Sequence, residues 1–390
     1  MPRRGVDPRR QWPHNCEPVP GLRPMPIARE ERPGPARSGP ALQPLCAAES
    51  GLPPTAVPPP AMADAAPARS PLRHAQPFLA ADVGGTHARL GRVRIDRDGR
   101  VSVLDYRRYA CAEHPSLAAI LRDFAQGAEH AVVAIAGRLD GDVLVNSNLP
   151  WPVSLERTRR EAGVRHLGLL NDFEAVACAM PYLDPGAITR VCGPARSAEG
   201  PVLVLGPGTG FGASLRLPGA PPRVLASEAG HAALAAGTGR ELALVGQLLR
   251  QWPHVDNERV LSGPGLRNAY RALCALDGVA PRLDTPEAIA AAALARSDAQ
   301  ALEALQLFCA LLGSLAGDLA LAFGADAVYL AGGIPAQIKP FLLESDFAAR
   351  FRNKGVLSEV LARVPVWLAE HGQLGLVGAA AWYFEHYGER

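Results

Sequence analysis

Lysine is almost absent from this chain of 390 residues, which contains only Lys339 and Lys354. The sequence therefore lacks the Gly-Lys-Thr or Gly-Lys-Ser end of a P-loop and the Val-Ala-Ile-Lys strand of a protein kinase. Its seven cysteines are scattered singly without a Cys-x-x-Cys pair, which argues against a zinc site and against a disulfide scaffold. Any binding of nucleotide phosphates must use a device other than lysine.

Long hydrophobic runs and an excess of one charge are also missing. No stretch of 18 or more apolar residues occurs, and no apolar core follows the N-terminal Met-Pro-Arg-Arg, so neither a membrane span nor a secretory signal is expected. The 40 basic and 38 acidic residues give a net charge of +2, which does not indicate nucleic-acid binding. We expect a cytoplasmic protein without nucleic-acid or membrane partners.

Proline divides the chain into two parts. Of the 37 prolines, 19 fall in the first 77 residues, where they interrupt helices and remove strand hydrogen-bond donors. We predict that residues 1–75 form a disordered Pro/Arg-rich extension. In the rest of the chain, apolar strand patterns alternate with helical patterns, among them a long helix over roughly 298–323. This alternation predicts an α/β fold.

Two strand-turn-strand segments have glycine-rich turns. The first strand ends in Asp82-Val83-Gly84-Gly85-Thr86, and a later strand leads into Gly206-Pro207-Gly208-Thr209-Gly210-Phe211-Gly212. Their similarity predicts an internally duplicated fold. Successive backbone amides in such a turn can bind phosphate oxygens without lysine, because glycine permits close approach. For either turn alone, an ordinary hairpin is the alternative.

The chemistry of these turns suggests specific donors. Pro207 has no N–H group, so Gly208, Thr209 and Gly210 are the candidate donors of the second turn. In the first turn, Asp82 stands where a carboxylate can hold a hydrated Mg²⁺ against phosphates. A third apolar strand ends at Gly332-Gly333. Three such strand ends together favour phosphate binding.

The segment Leu170-Asn171-Asp172-Phe173 joins an apolar strand to a predicted helix. Asn and Asp are preferred N-cap residues, so plain helix capping is one interpretation. The other is that Asp172 is a general base at the carboxyl end of a strand, with Asn171 orienting a substrate hydroxyl. The local pattern leaves both open.

Six motifs in order carry a family resemblance. They are Asp82-Val-Gly-Gly-Thr, Leu170-Asn-Asp-Phe-Glu-Ala, Gly206-Pro-Gly-Thr-Gly-Phe-Gly, Ser227-Glu-Ala-Gly-His, Glu258-Arg-Val-Leu-Ser-Gly-Pro-Gly-Leu and Ala331-Gly-Gly-Ile. From about residue 78 to about 383 the chain resembles the bacterial glucokinase family of the hexokinase and actin-like superfamily. The closely spaced cysteines of the related zinc-containing group are absent.

The resemblance implies a fold and an activity. It implies two ribonuclease-H-like lobes around a cleft, a small one over 76–182 completed by a helix at 370–390 and a large one over 183–369. It also implies a cytoplasmic, homodimeric enzyme that uses Mg²⁺ and ATP to phosphorylate the 6-hydroxyl of D-glucose, giving glucose 6-phosphate and ADP.

The resemblance also implies roles for single residues. Asp172 corresponds to the catalytic base. The residues that correspond to glucose ligands are Asn171, Glu228, His231 and Glu258. The residues that correspond to ATP-binding turns are Asp82, Gly84, Gly85, Thr86, Gly208, Thr209, Gly210, Gly332 and Gly333, with Mg²⁺ held by Asp82 through water. Taken alone, His231 could be a core histidine and Glu258 a surface charge.

The chain departs from the family pattern at three positions. His87 stands where Asn is usual, Ala229 replaces a glycine, and Pro207 is an unusual turn residue. The proposed base and sugar ligands are intact, so we expect activity. A kinase for another hexose, such as fructose or mannose, and a non-catalytic glucose sensor remain the alternatives.

Overall fold

The computed structural model describes residues 76–96, 100–125, 127–145, 149–370 and 372–388, all within one compact unit. The predicted extension over 1–75 lies outside the described residues. The strands of the described residues are β1 (Phe78–Val83), β2 (His87–Ile95), β3 (Val101–Ala110), β4 (His130–Ile135), β5 (Arg138–Asp140), β6 (Val143–Val145), β7 (His166–Asn171), β8 (Ile188–Cys192), β9 (Val202–Pro207), β10 (Phe211–Leu217), β11 (Arg223–Ser227), β12 (Ala327–Leu330) and β13 (Val366–Ala369).

Helices connect these strands and cover the sheets. The α-helices of the described residues are α1 (Leu117–Ala125), α2 (Leu155–Ala162), α3 (Asp172–Ala179), α4 (Gly239–Leu248), α5 (Gly263–Leu276), α6 (Pro286–Leu294), α7 (Ala299–Phe323), α8 (Gly333–Gln337), α9 (Lys339–Glu344), α10 (Phe347–Arg352), α11 (Ser358–Leu361) and α12 (Leu374–Tyr387). Short 3₁₀ helices at Ala229–His231 and Asn257–Arg259 complete the elements near the site.

Two sheets share one strand arrangement. The first has the order β3-β2-β1-β4-β7, and the second has β11-β10-β9-β12-β13 with β8 added at its edge. In each sheet an antiparallel meander of three strands is followed by two strands that run parallel to the first. The predicted duplication is therefore confirmed, and so is the α/β class with two ribonuclease-H-like lobes. The lobe boundaries given above remain predictions.

The parallel strands are buried on both faces. All six residues of β4 are buried, as expected for a strand covered by helices on either side. Helix α12 packs on β1, β2 and β4, and also on α3. The carboxyl ends of β4 and β7 thus lie near the start of α3.

Helix α7 forms the core of the second half. It is the one helix in the described part of the chain that is long and apolar enough to cross a membrane, and 67% of its most apolar window is buried inside the protein. It packs against α5, α6 and α10. Burial in this core accounts for its apolar composition.

Small residues allow α12 and α3 to pack unusually closely. A Cβ atom on Gly378 would overlap the carbonyl oxygen of Ala175. At the start of α12, a Cβ on Gly375 would come within 2.7 Å of the Asp82 carboxyl carbon. Helix α12 therefore fixes α3 and also buries Asp82.

We expect Gly378→Ala to lower the free energy of unfolding by about 3 kcal/mol or more, because the added methyl group must separate α12 from α3. Gly246→Ala is the matched control, since its Cβ in α4 would meet nothing within 4 Å. That change should stabilise the helix by about 0.5–1 kcal/mol. Urea unfolding measures both variants, and equal stabilities would contradict the close packing.

Candidate active site

Asn171 and Asp172 lie at the junction of β7 and α3. The Asn171 Oδ1 atom accepts hydrogen bonds from the amides of Phe173 (2.9 Å) and Glu174 (3.3 Å). The Glu174 carboxylate accepts from the Asn171 amide at 3.1 Å, which completes a capping box. The N-cap interpretation of Asn171 is confirmed, and this cap fixes Asp172 in the first helical turn.

Capping uses most of the Asn171 side chain. Its Nδ2 atom donates to the Gly137 carbonyl at 3.2 Å. An amide nitrogen has two N–H groups, so one donor remains for a ligand, whereas both lone pairs of Oδ1 are occupied. Asn171 can therefore donate a hydrogen bond to a substrate hydroxyl while it caps α3.

The Asp172 carboxyl group has a raised pKa. Burial is the main cause, and the negative charges of Asp82 and Glu228 add to it. The Phe173 amide, which donates to Asp172 Oδ1 at 3.0 Å, opposes the rise. Three carboxylates far apart in sequence are thus within electrostatic reach of one another.

Asp82 is itself a half-buried carboxylate near the end of β1. Burial raises its pKa, and an ion pair with Arg89 at 3.1 Å opposes the rise. The ion pair uses one carboxylate oxygen. Within the described residues, no group of three or more His, Cys, Asp or Glu side chains could hold a metal ion. Asp82 fits magnesium bound mainly to phosphates and water, the usual form in kinases.

The first glycine turn is closed by its own backbone. The Gly84 amide donates to the His87 carbonyl at 3.0 Å, so this amide is occupied. The amides of Gly85 and Thr86 have no hydrogen-bond partner among the described residues, and both residues are exposed. Two of the predicted phosphate-binding positions therefore offer free donors.

The second turn has the same design. The Gly208 amide donates to the Gly210 carbonyl at 2.8 Å, and the Gly208 carbonyl accepts from Gly263 at 2.8 Å. Among the residues described, the amides of Thr209 and Gly210 have no partner. Gly208 therefore shapes the turn rather than supplying a free donor.

Gly332 brings the third strand end against the second turn. Its φ angle of 96° lies in the region that favours glycine, and a Cβ there would come within 2.9 Å of the Pro207 carbonyl oxygen. Gly333 begins α8 immediately afterwards. The turn at Gly332-Gly333 therefore lies next to the second glycine turn.

Glu228 precedes the 3₁₀ helix Ala229–His231 and His231 ends it, and the His231 amide donates to the Glu228 carbonyl at 2.9 Å. The His231 ring is 62% exposed, with Nδ1 at 3.6 Å from Asp256 Oδ2. The alternative of a core histidine is therefore wrong. Its imidazole is accessible to a ligand.

Glu258 is not a free surface charge. Its Oε2 atom accepts from the Phe211 amide at 2.8 Å, directly after the second turn. A Cβ on Gly210 would come within 2.7 Å of the same oxygen. Glu258 therefore joins the predicted sugar residues to the second phosphate turn.

Two contributors to the site were missed in the sequence. Buried Asn257 donates from its side chain to the Ala229 carbonyl at 2.9 Å, which ties the segment of Glu258 to that of Glu228. The Phe173 ring occupies the space left by Gly206 and Gly212, since a Cβ on either glycine would overlap it. The sequence signal for this contact was the pair of glycines, Gly206 and Gly212, which leave space on β9 and β10 for a large side chain such as Phe173.

A cavity of about 420 Å³ lies beside these residues. Its polar wall includes Asn171, Glu174 and Glu228, and Arg138 lies at its edge. Aliphatic side chains from β4, β5, β6, β7 and β11 form most of the remaining walls. The cavity is large enough for a small polar ligand with one apolar face.

Known proteins share this sequence and fold. The family model "Glucokinase" matches residues 79–386. A "Glucokinase-like protein" of Xylella fastidiosa (strain Temecula1 / ATCC 700964) is 48% identical over 315 residues, 78% of this chain and 94% of that protein. A "Glucokinase" of Chromobacterium violaceum is 40% identical over 326 residues, 82% and 92% of the two chains.

A solved structure agrees with these relatives. The crystal structure of glucokinase from an Antarctic psychrotroph superposes with a TM-score of 0.72 at 34% identity. The match covers 78% of this chain and 98% of that one. Sequence and fold comparisons therefore point to the same family.

We expect Gly212→Ala to lower the free energy of unfolding by about 2–3 kcal/mol, because its methyl group would displace the Phe173 ring. Adding Phe173→Leu should recover part of this loss by making room. The double-mutant cycle in urea unfolding should therefore be non-additive. Additive effects would mean that the ring and Gly212 do not contact each other.

Proposed function

The chain belongs to the glucokinase family, and on this basis we propose that it transfers the γ-phosphoryl group of ATP to the 6-hydroxyl of D-glucose. The products are glucose 6-phosphate and ADP. The observation that carries the proposal is the half-buried Asp172 carboxyl group at the start of α3, which has a raised pKa beside Asp82 and Glu228. A carboxylate of raised basicity suits a general base for an alcohol.

Asp172 accepts the proton of the 6-hydroxyl as the sugar oxygen attacks the γ-phosphorus. Asn171 donates its remaining N–H to a sugar hydroxyl, and Glu228, His231 and Glu258 bind others. When a bound sugar covers these groups and pairs each with a hydroxyl, a sugar that lacks one hydroxyl leaves a group unpaired. Glucose is proposed ahead of mannose and fructose on the family relationship.

Phosphate oxygens are bound by the free amides of the two turns, which are those of Gly85, Thr86, Thr209 and Gly210. The amides of Gly84 and Gly208 instead close the two turns. Gly332 and Gly333 contact the adenosine part of the bound ATP. Asp82 holds magnesium through water, and magnesium neutralises phosphate charge when bound. Phosphoryl transfer depends mainly on such positioning and charge stabilisation. We further propose a cytoplasmic homodimer.

A coupled assay of ADP release tests this function. Purified protein is given Mg-ATP with glucose, mannose, fructose or N-acetylglucosamine in turn. Preferential turnover of glucose supports the proposal. A preference for another hexose would make that sugar the substrate in place of glucose. Absence of turnover with every sugar, together with thermal stabilisation by glucose, would favour the sensor.

We expect Asp172→Asn to lower kcat by about 10²–10⁴-fold, because the amide cannot accept the proton. Glucose binding should persist, since Asn keeps the shape of Asp and its oxygen can still accept from the Phe173 amide. Asp284→Asn is the matched control at an exposed ion pair with Arg271 and should not change turnover. Substantial turnover by Asp172→Asn would remove Asp172 from the role of base.

The raised pKa of Asp172 also predicts a pH dependence. Only the deprotonated carboxylate can act as base, so kcat/KM should fall on acidification with a midpoint above about 3.9, the ordinary value for Asp. Glu228→Gln removes a neighbouring negative charge and should move this midpoint to lower pH, whatever it does to the maximal rate. Glu258→Gln is the control and should move it less. An unshifted midpoint in Glu228→Gln would contradict the coupling.

A further inference from the structure

The proposed site requires positive charge that lysine does not supply. Lys339 pairs with Glu370 and Lys354 pairs with Asp318, each at 2.7 Å. Asp82, Asp172 and Glu228 make the interior of the site negative, and a nucleotide triphosphate is itself an anion. Besides magnesium, arginine is the side chain left to provide cationic contacts, because it is always charged and its fork of donors matches phosphate oxygens.

Strand register puts two arginines in a row with Asp82. Asp82 on β1 is opposite Arg89 on β2, which is opposite Arg108 on β3. Directly opposite residues of neighbouring strands project from the same face of a sheet. His87, two residues before Arg89, belongs to that face as well because side chains alternate along a strand.

Arg108 contacts His87, the residue that follows the first glycine turn. Its Nη2 atom is 3.1 Å from both Nδ1 and Nε2 of the imidazole. The in-plane lone pair or N–H of each ring nitrogen points in a different direction, so one guanidinium nitrogen cannot align with both. The guanidinium and the imidazole are thus in close contact, and because the ring carries no negative charge the contact does not neutralise Arg108.

The charge of Arg108 is uncompensated, unlike that of three nearby arginines. Arg89, Arg94 and Arg107 each pair with an aspartate, at 3.1, 3.0 and 3.1 Å respectively. In the described part of the chain, Arg108 has no carboxylate partner, and its side chain is exposed. Arg108 contacts His87, the residue that directly follows Gly85 and Thr86 with their free amides, and this placement suits an anionic ligand.

We propose that Arg108 binds the terminal phosphates of the nucleotide and that His87 is its positioning residue. The inference rests on the proposed nucleotide site and adds a cation to it from an edge strand. It also gives a function to His87, which stands where the family pattern has Asn.

Kinetics and direct binding test the inference. Arg108→Gln should raise the KM for Mg-ATP by about 10–100-fold, the loss of one charge-assisted phosphate contact, and leave the KM for glucose unchanged. Arg107→Gln is the matched control, because Arg107 alternates to the other face and pairs with Asp123. Arg108→Lys should recover part of the affinity.

His87→Ala should give a smaller rise in the KM for Mg-ATP. Combined with Arg108→Gln it should add nothing, since a positioning residue acts only through its partner. A full additional loss in the double variant would overturn the positioning role of His87.

Calorimetric titration with ATP and with AMP separates phosphate binding from general damage. Arg108→Gln should weaken ATP binding by the same factor as the KM rises and leave AMP binding unchanged. Equal losses for both nucleotides, or ATP affinity equal to that of Arg107→Gln, would overturn the inference. If the unmodified protein phosphorylates no sugar yet binds ATP through Arg108, the proposed kinase activity fails and the phosphate contact stands.

Discussion

The Phe173 ring, packed against Gly206 and Gly212, holds together the parts of the site that the two sheets provide. The residue before it is Asp172, and the hairpin beneath it leads into the second glycine turn. Ser214 on that hairpin also donates to the Phe173 carbonyl at 2.8 Å. On its other side, α3 meets α12 where Gly378 leaves no room for a methyl group. The position of the Asp172 carboxyl group therefore depends on three glycines remote from it in sequence.

This packing has an electrostatic consequence. It partly buries Asp172 near Asp82 and Glu228, and both partial burial and like charge raise the pKa of Asp172. The arrangement is unfavourable for three ionised carboxylates but favours a group that must take a proton. Arg89 compensates only Asp82. A site of this charge can accept an anionic substrate only where amides and cations line the opposite side.

Local sequence patterns predicted the glycine turns and the start of α3. The contacts between residues far apart in sequence could not be predicted from such patterns. Strand-glycine turns and the Asn171 cap depend on neighbours within a few residues, so the sequence indicates them directly. Asn171 is both a cap and a remaining donor, which shows that the two interpretations were compatible. The occupied amides of Gly84 and Gly208 depend on how each turn closes. The contact of Arg108 with His87 depends on strand register, for which one sequence holds no signal.

The duplicated turns differ in their source of positive charge. In each turn the amide of the first glycine, Gly84 or Gly208, donates within the turn and closes it, and the next two amides have no partner among the described residues. Arg108 contacts His87, the residue that follows the first turn. The second turn instead contacts the start of α5, because the Gly263 amide donates to the Gly208 carbonyl, and the N-terminus of a 14-residue helix carries partial positive charge. The first turn is thus followed by a residue that contacts a side-chain cation and the second meets a helix N-terminus, so the two turns differ in how they attract phosphate.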